Sequence, residues 1–243
     1  VKVDKPFWMG VCEVTNAQFN LFDKTHDSRF IDKQFTNSER GYPVNLPTQP
    51  VVRVSCLEAM AFCKWLSAKT GQQFTLPTEA QWEWACRAGS DKAMNYGPLD
   101  ADFSTRENLG DAMLQRFRMQ GVRSAIKGNK GSVFKGYDFL PRIDTVNDGV
   151  MVSAAAGSYK PNAWGLKDMH GNVAEWTRTV YRPYPYAPDD GRNDPGATGK
   201  KVVRGGSWRD RPKRASSADR LPYQRYQRVF NVGFRVICEG KIR

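Results

Sequence analysis

Five cysteines and two histidines set the limits of the chemistry open to this chain. Cys12, Cys56, Cys63, Cys86 and Cys238 contain no C-x-x-C pair, and their odd number rules out complete disulfide pairing within the chain. Cys56 and Cys63 lie two helical turns apart, as buried thiols on one helix face would. His26 and His170 are too few for iron or zinc centres built on several imidazoles. His170 reads as a hydrogen-bonding loop residue. Its segment, DMHGNVAEW, brings Asp168, Asn172 and Glu175 into one tight turn. Read from the residues alone, Asp168 and Asn172 close local turns and Glu175 pairs with an arginine. The second polar stretch, RGGSWRDRPKRASSADR at 204–220, holds Ser207 and Asp210. A serine with no evident base is weak ground for nucleophilic catalysis.

Three helices are expected upstream of these turns, and each starts in the same way. Thr15/Gln18, Ser55/Glu58 and Thr78/Gln81 place a hydroxyl three residues before Glu or Gln, the pattern of a capping box. The second helix carries Leu57, Met60, Phe62, Cys63 and Leu66 as an apolar stripe and stops at Gly71; the third ends at Gly89. VVRGGSW and VGFRVIC are short strand candidates. Residues 90–160 and 181–200 read as loops. The glycine-punctuated, basic stretch 112–142 has the character of an insertion or surface loop. Trp82, Trp84, Trp164, Trp176 and Trp208 are expected as core anchors, with a carbohydrate-stacking platform as the alternative. With neither repeats nor an interdomain linker, residues 1–243 read as one loop-rich α+β domain.

The chain of 243 residues is long enough to bury a core without disulfide or metal support. Its net charge of +12 is concentrated after residue 200, where twelve Lys and Arg face three acids. These arginines alternate with small and apolar residues, as in a region that pairs internally, and no nucleic-acid-binding signature accompanies them; nucleic acid is not the expected partner. No apolar run approaches the roughly 20 residues that span a bilayer. The opening VKVDKPFWMG lacks the apolar core and cleavage site of a signal peptide, as a start inside a longer protein would.

Six segments in order, EVTNAQF (13–19), PVVRVS (50–55), LPTEAQWEWACRAG (76–89), NAWGLKDMHGNVAEWT (162–177), RGGSW (204–208) and GFRV (233–236), resemble the formylglycine-generating enzyme or sulfatase-modifying factor family. The resemblance implies a C-type-lectin-like core with long loops and bound calcium. In catalytic members two cysteines, three and eight residues after the serine of GGS, bind Cu(I) and activate oxygen to convert a substrate cysteine to formylglycine. Those positions here are Asp210 and Ala215. A carboxylate and a methyl group are poor donors for Cu(I), so no copper is expected. Cys238 is the thiol that folding could bring near, and it would lack a partner.

For calcium the resemblance implies a first site at Asp168, the carbonyls of Gly171 and Val173, and Glu175. A second would use Asn108, the Leu109 carbonyl, Asp148 and the Val150 carbonyl. Such hard oxygen sets suit Ca2+. Catalytic members carry Trp where this chain has Ala174. The expected function is therefore a non-catalytic, calcium-stabilised binding or scaffolding domain, with extracytoplasmic placement. Its ligand, a protein, peptide or glycan, would meet Ser207, Trp208, Arg209, Asp210, Arg211, Arg214 and Arg220. The alternatives are a divergent formylglycine-generating oxidase and an accessory domain of a larger oxidoreductase acting on sulfur compounds.

Overall fold

Each expected capping box is formed. Thr15, Ser55 and Thr78 accept from the backbone N–H of Gln18, Glu58 and Gln81, whose side chains reach back to the cap N–H. They start α1 (Asn16–Asn20), α2 (Cys56–Thr70) and α3 (Glu79–Arg87). Each box satisfies two backbone donors that a helix start otherwise leaves without partners. Gly71 ends α2 in the left-handed conformation, as expected. The end of α3 comes one residue earlier than the sequence suggested, because Ala88 itself takes the left-handed cap. On α2 the stripe is narrower than its pattern: Phe62 and Cys63 are buried, Met60 and Leu66 partly so, and Leu57 is exposed.

The computed structural model describes residues 3–31, 41–115, 141–187, 189–194 and 196–240. Most of the expected basic insertion, residues 116–140, lies outside them. The described strands are β1 (Phe7–Met9), β2 (Phe30–Ile31), β3 (Tyr42–Pro43), β4 (Gln73–Thr75), β5 (Ala174–Val180), β6 (Lys200–Arg204), β7 (Leu221–Gln224), β8 (Val232–Gly233) and β9 (Ile237–Glu239). A short helix, α4 (Pro212–Ala215), follows β6. They form sheets in the orders β1-β9-β4, β2-β3 and β7-β6-β5-β8. The result is an α+β domain with few helices and little regular structure.

The VGFRVIC segment, expected as one strand, is divided between two sheets. Val232–Gly233 runs parallel to β5, whereas Ile237–Glu239 lies between β1 and β4. Chain between them turns Phe234 and Arg235 inward, both fully buried. Gly233 permits this approach: a Cβ there would sit 2.4 Å from the Val51 carbonyl oxygen. Phe234 joins Phe19 and Phe62 in the main core, with ring centroids 5.5 to 6.1 Å apart. Full burial of each such ring contributes about 1.5–3 kcal/mol.

Of the five tryptophans expected inside, Trp82, Trp176 and Trp208 are buried. Trp84 and Trp164 are not, at 49% and 45% exposed. On α3 an offset of two residues turns the side chain by roughly 200°, so a buried Trp82 sends Trp84 toward solvent.

Candidate functional site

The turn at 168–175 is shaped by backbone conformations that few residues adopt. Asp168 and Asn172 both have positive φ, 56° and 54°, which Asp and Asn tolerate better than most residues. Gly171, at φ 133°, lies where a Cβ would fall 2.3 Å from the Asn108 carbonyl oxygen. Asn172 then knits three segments together. Its N–H donates to the Asn108 carbonyl (2.8 Å), its amide nitrogen to Glu13 (3.1 Å), and its amide oxygen accepts from Ala154 N–H (2.9 Å).

Glu175 follows on β5 and is paired with an arginine, the reading its residue type supported. Arg235 Nε lies 2.9 and 2.8 Å from its two oxygens and Nη2 lies 2.6 Å from Oε1, while Trp82 Nε1 donates to Oε2 at 2.7 Å. The remaining Arg235 protons reach the carbonyls of Gly10, Val11, Lys167 and Asp168. Both side chains are buried, so the pair binds the N-terminal segment, the turn and the last strands into one node. Burial works against the Arg235 charge, but Glu175 beside it holds the guanidinium protonated.

Two more carboxylates surround this node. Glu13 Oε2 and Asp168 Oδ1 are buried and, apart from each other, meet no hydrogen-bond donor. Burial raises both carboxyls above the ordinary range; the Asp168 charge raises Glu13 further, while the hydrogen bond with Glu13 holds Asp168 partly down. Asn108 Oδ1 is likewise buried and without a donor. Acceptor oxygens without donors are what a hard cation seeks, so Asp168 and Asn108 fit calcium chemistry. Glu175 as placed does not fit, because Arg235 and Trp82 already occupy its oxygens. Among the described residues, no three His, Cys, Asp or Glu side chains gather in a metal-holding group.

The residues expected for a second ion are divided in their bonding. Asp148 accepts from Val150 N–H (2.8 Å) and from the Tyr159 hydroxyl (2.7 Å), and its own N–H donates to Asp111. Burial, with Asp111 adding to it, pushes the Asp148 carboxyl up to about 7. Asn108 instead donates to the Val152 carbonyl at 2.8 Å, and Leu109 packs into a separate apolar cluster. Glu13, Asp111 and Arg235 are not among the residues expected from the sequence. Glu13 and Arg235 stand inside two of the quoted motifs, but only the fold brings them to this turn.

At the loop after β6, Asp210 closes a turn. Its carboxylate accepts from Ser207 N–H (3.0 Å) and Oγ–H (2.7 Å), and Asn231 donates to the same hydroxyl at 2.8 Å. Ala215 is fully buried beside Met94, Phe103 and Leu109, and it packs so closely on Gly206 that a Cβ there would come within 2.9 Å. His170 holds the Ala215 carbonyl at 2.8 Å from Nδ1, while Asn95 N–H donates to Nε2 at 2.9 Å. Those partners assign the proton to Nδ1. Burial lowers the His170 pKa to about 4. The thiol beneath this loop belongs to Cys86, 3.4 Å from His170 Nε2 and 3.7 Å from Ser217 Oγ. Cys238, the thiol that folding could have brought near, lies on β9, its backbone in register with Trp8 of β1 and Phe74 of β4.

The expected ligand surface is reduced by the same geometry. Ser207 and Trp208 are buried and therefore do not present a face to a ligand, whereas Arg209, Arg211 and Arg214 are exposed. Arg220 is drawn inward to the Glu79 carboxylate, at 2.7 Å for its Nη2. Arg204 is buried between Glu79 and Glu83. Much of the C-terminal positive charge is thus internally paired.

The model of the sulfatase-modifying factor enzyme 1-like domain matches residues 1–239. A formylglycine-generating enzyme of Streptomyces coelicolor is 31% identical over 164 residues, covering 67% of this chain and 43% of that protein. The mouse protein named inactive C-alpha-formylglycine-generating enzyme 2 is 28% identical over 198 residues, 79% of this chain and 49% of its own length. The chain thus spans less than half of either relative. Among solved structures, PvdO from Pseudomonas aeruginosa superimposes with a TM-score of 0.71 at 26% identity, covering 98% of this chain and 82% of that one. With the family pattern spanning nearly every residue and the fold matched over the same length, this chain belongs to the sulfatase-modifying factor enzyme 1-like family.

Proposed function

We propose that this domain is a non-catalytic, calcium-stabilised binding or scaffolding module of its family. The observation that carries the reading is the state of two positions. Where catalytic members hold copper with thiolates, Asp210 is bound to Ser207 and Ala215 is a buried core methyl. Cu(I) prefers soft sulfur donors, and neither group supplies one. Cys86, the thiol beneath the loop, is buried and held in its protonated form by that burial. The similarity to a relative named inactive supports the same reading. Binding would fall to the exposed rim of Arg209, Arg211 and Arg214, with a protein, peptide or glycan as ligand and an extracytoplasmic setting.

Calcium, where bound, would be held by Asp168 with the carbonyls of Gly171 and Val173, and at a second position by Asn108, Asp148 and the carbonyls of Leu109 and Val150. It would supply charge compensation and cross-link the loops. The hydrogen bond from the Asn172 amide to Glu13 keeps that region in shape.

Oxygen consumption with Cu(I) and a cysteine-containing sulfatase peptide tests the catalytic half of the proposal. No copper-dependent turnover is expected, and robust turnover would overturn it in favour of a divergent oxidase. For calcium, a hundredfold excess over Kd should add about 2.7 kcal/mol of stability. Unchanged thermal unfolding after metal removal by EDTA would remove calcium from the proposal.

A further inference from the structure

Beside the Glu79 cluster the surface opens into a cleft of about 330 Å3, lined by Glu79, Glu83, Trp84, Arg87, Tyr184 and Tyr186. That volume lies at the lower end of small-ligand sites, roughly 300–1,000 Å3. One wall is α3, on which Glu79, Glu83 and Arg87 recur every four residues and so share a face. The other wall is the loop carrying Tyr184 and Tyr186.

The walls of this cleft are held in place by contacts between their own side chains and loops. Trp84 packs on Trp164 with ring centroids 4.3 Å apart, and both indoles remain about half exposed. The Trp164 loop is fastened to the end of α3 by Asn162. Its amide nitrogen donates to the Ala85 carbonyl (2.9 Å), and its oxygen accepts from the N–H groups of Trp164 and Leu166 (3.0 Å each). Across the cleft, the Arg220 guanidinium lies 4.5 Å from the Tyr184 ring centroid and Arg192 lies 4.6 Å from that of Tyr186. Glu83 and Arg87 form an ion pair at 2.8 Å on the rim. Fixed aromatic faces and fixed polar forks lower the ordering cost of binding.

The geometry points to a saccharide as the occupant of this cleft. A pyranose ring has a C–H face, which the negative face of an indole attracts, and an edge of hydroxyls, which planar carboxylate and guanidinium groups engage in pairs. The two carboxylates, Glu79 and Glu83, already face Arg87, Arg204 and Arg220, so the cleft does not favour a metal cation or an amine. Arg87 is the one guanidinium among the lining residues and is already paired with Glu83, so a neutral saccharide is favoured over one that carries an acidic group. A peptide joining by strand addition would find no strand here, since a helix and a loop form the walls. This proposal does not depend on the copper loop being silent: Asp210 and Ala215 are not among the lining residues.

The test is a glycan array carrying neutral, uronate-containing and sulfated oligosaccharides, followed by calorimetry with the strongest binder. Saturable binding is expected, strongest among neutral saccharides. It should weaken at least tenfold in W84A and in W164A, whose side chains are half exposed, and stay unchanged in K24A, an exposed residue outside the lining. Absence of saturable binding across the array overturns the proposal. So does binding that survives in the W84A/W164A double variant, which would assign it to the basic surface. A negative array with no copper-dependent turnover would remove the saccharide and leave the non-catalytic reading standing. Turnover with Trp-dependent glycan binding would do the reverse.

Discussion

Two arginine–glutamate clusters in this domain use the same chemistry in opposite ways. Around Glu175 and Arg235 each charged atom is enclosed, and Trp82 caps the carboxylate from within the core. Around Glu79, Glu83, Arg204 and Arg220 the inner pairs are buried, but the outer edge meets Trp84, Tyr184 and solvent. The first cluster has no face left for a ligand and acts as a joint between distant segments. The second has a rigid back and an open front. In low dielectric, a charge that loses its partner is costly, so the closed cluster is bound to its arrangement. The open one keeps polar edges that water, or a hydroxyl-bearing ligand, can meet.

Breaking the closed cluster should have the largest effect. Arg235→Met would strand Glu175 in the core beside Glu13 and Asp168, and a loss of about 3–5 kcal/mol is expected in chemical denaturation. A change below about 1 kcal/mol would show that these carboxyls accommodate the loss by protonation. At the open cluster, Arg220→Ala should cost less, about 1–3 kcal/mol, because Arg204 still lies 3.6 Å from Glu79. Equal losses in the two variants would erase the distinction between the clusters. Asp210→Ala removes the acceptor of two Ser207 hydrogen bonds and should cost about 1–3 kcal/mol by the same measurement, since Ser207 is fully buried and its N–H is left without a partner. Trp84→Ala comes last, at about 0.5–1.5 kcal/mol for the lost packing on Trp164 and Phe7. A larger drop would make Trp84 a structural residue and bring the open cluster closer to the closed one.

The two exposed tryptophans illustrate how legible the site was. WEWACRAG announces a helix with two tryptophans, and both were expected inside. Which of them is covered depends on Glu175, 93 residues away from Trp82, and on Asn162, 77 residues away from Ala85. The calcium expectations divide in the same way. Asp168, Gly171, Val173 and Glu175 do fall in one turn, as their spacing requires, but the partner of Glu175 comes from a motif 60 residues later. Asp111 beside Asp148 had no motif to mark it.

Local rules were sufficient wherever the interacting atoms are three or four residues apart. Thr15, Ser55 and Thr78 cap their helices with bonds that span three residues, so the amino-acid order alone determined them. The same holds for the left-handed stop at Gly71, and for the thiolates missing from positions 210 and 215. Pairing of Arg235 with Glu175, the division of VGFRVIC between two sheets, and the cleft between α3 and the Tyr184 loop were decided only in three dimensions. Burial and ion pairing depend on which distant segments meet, and that choice minimises the desolvation of the whole chain rather than of any one stretch.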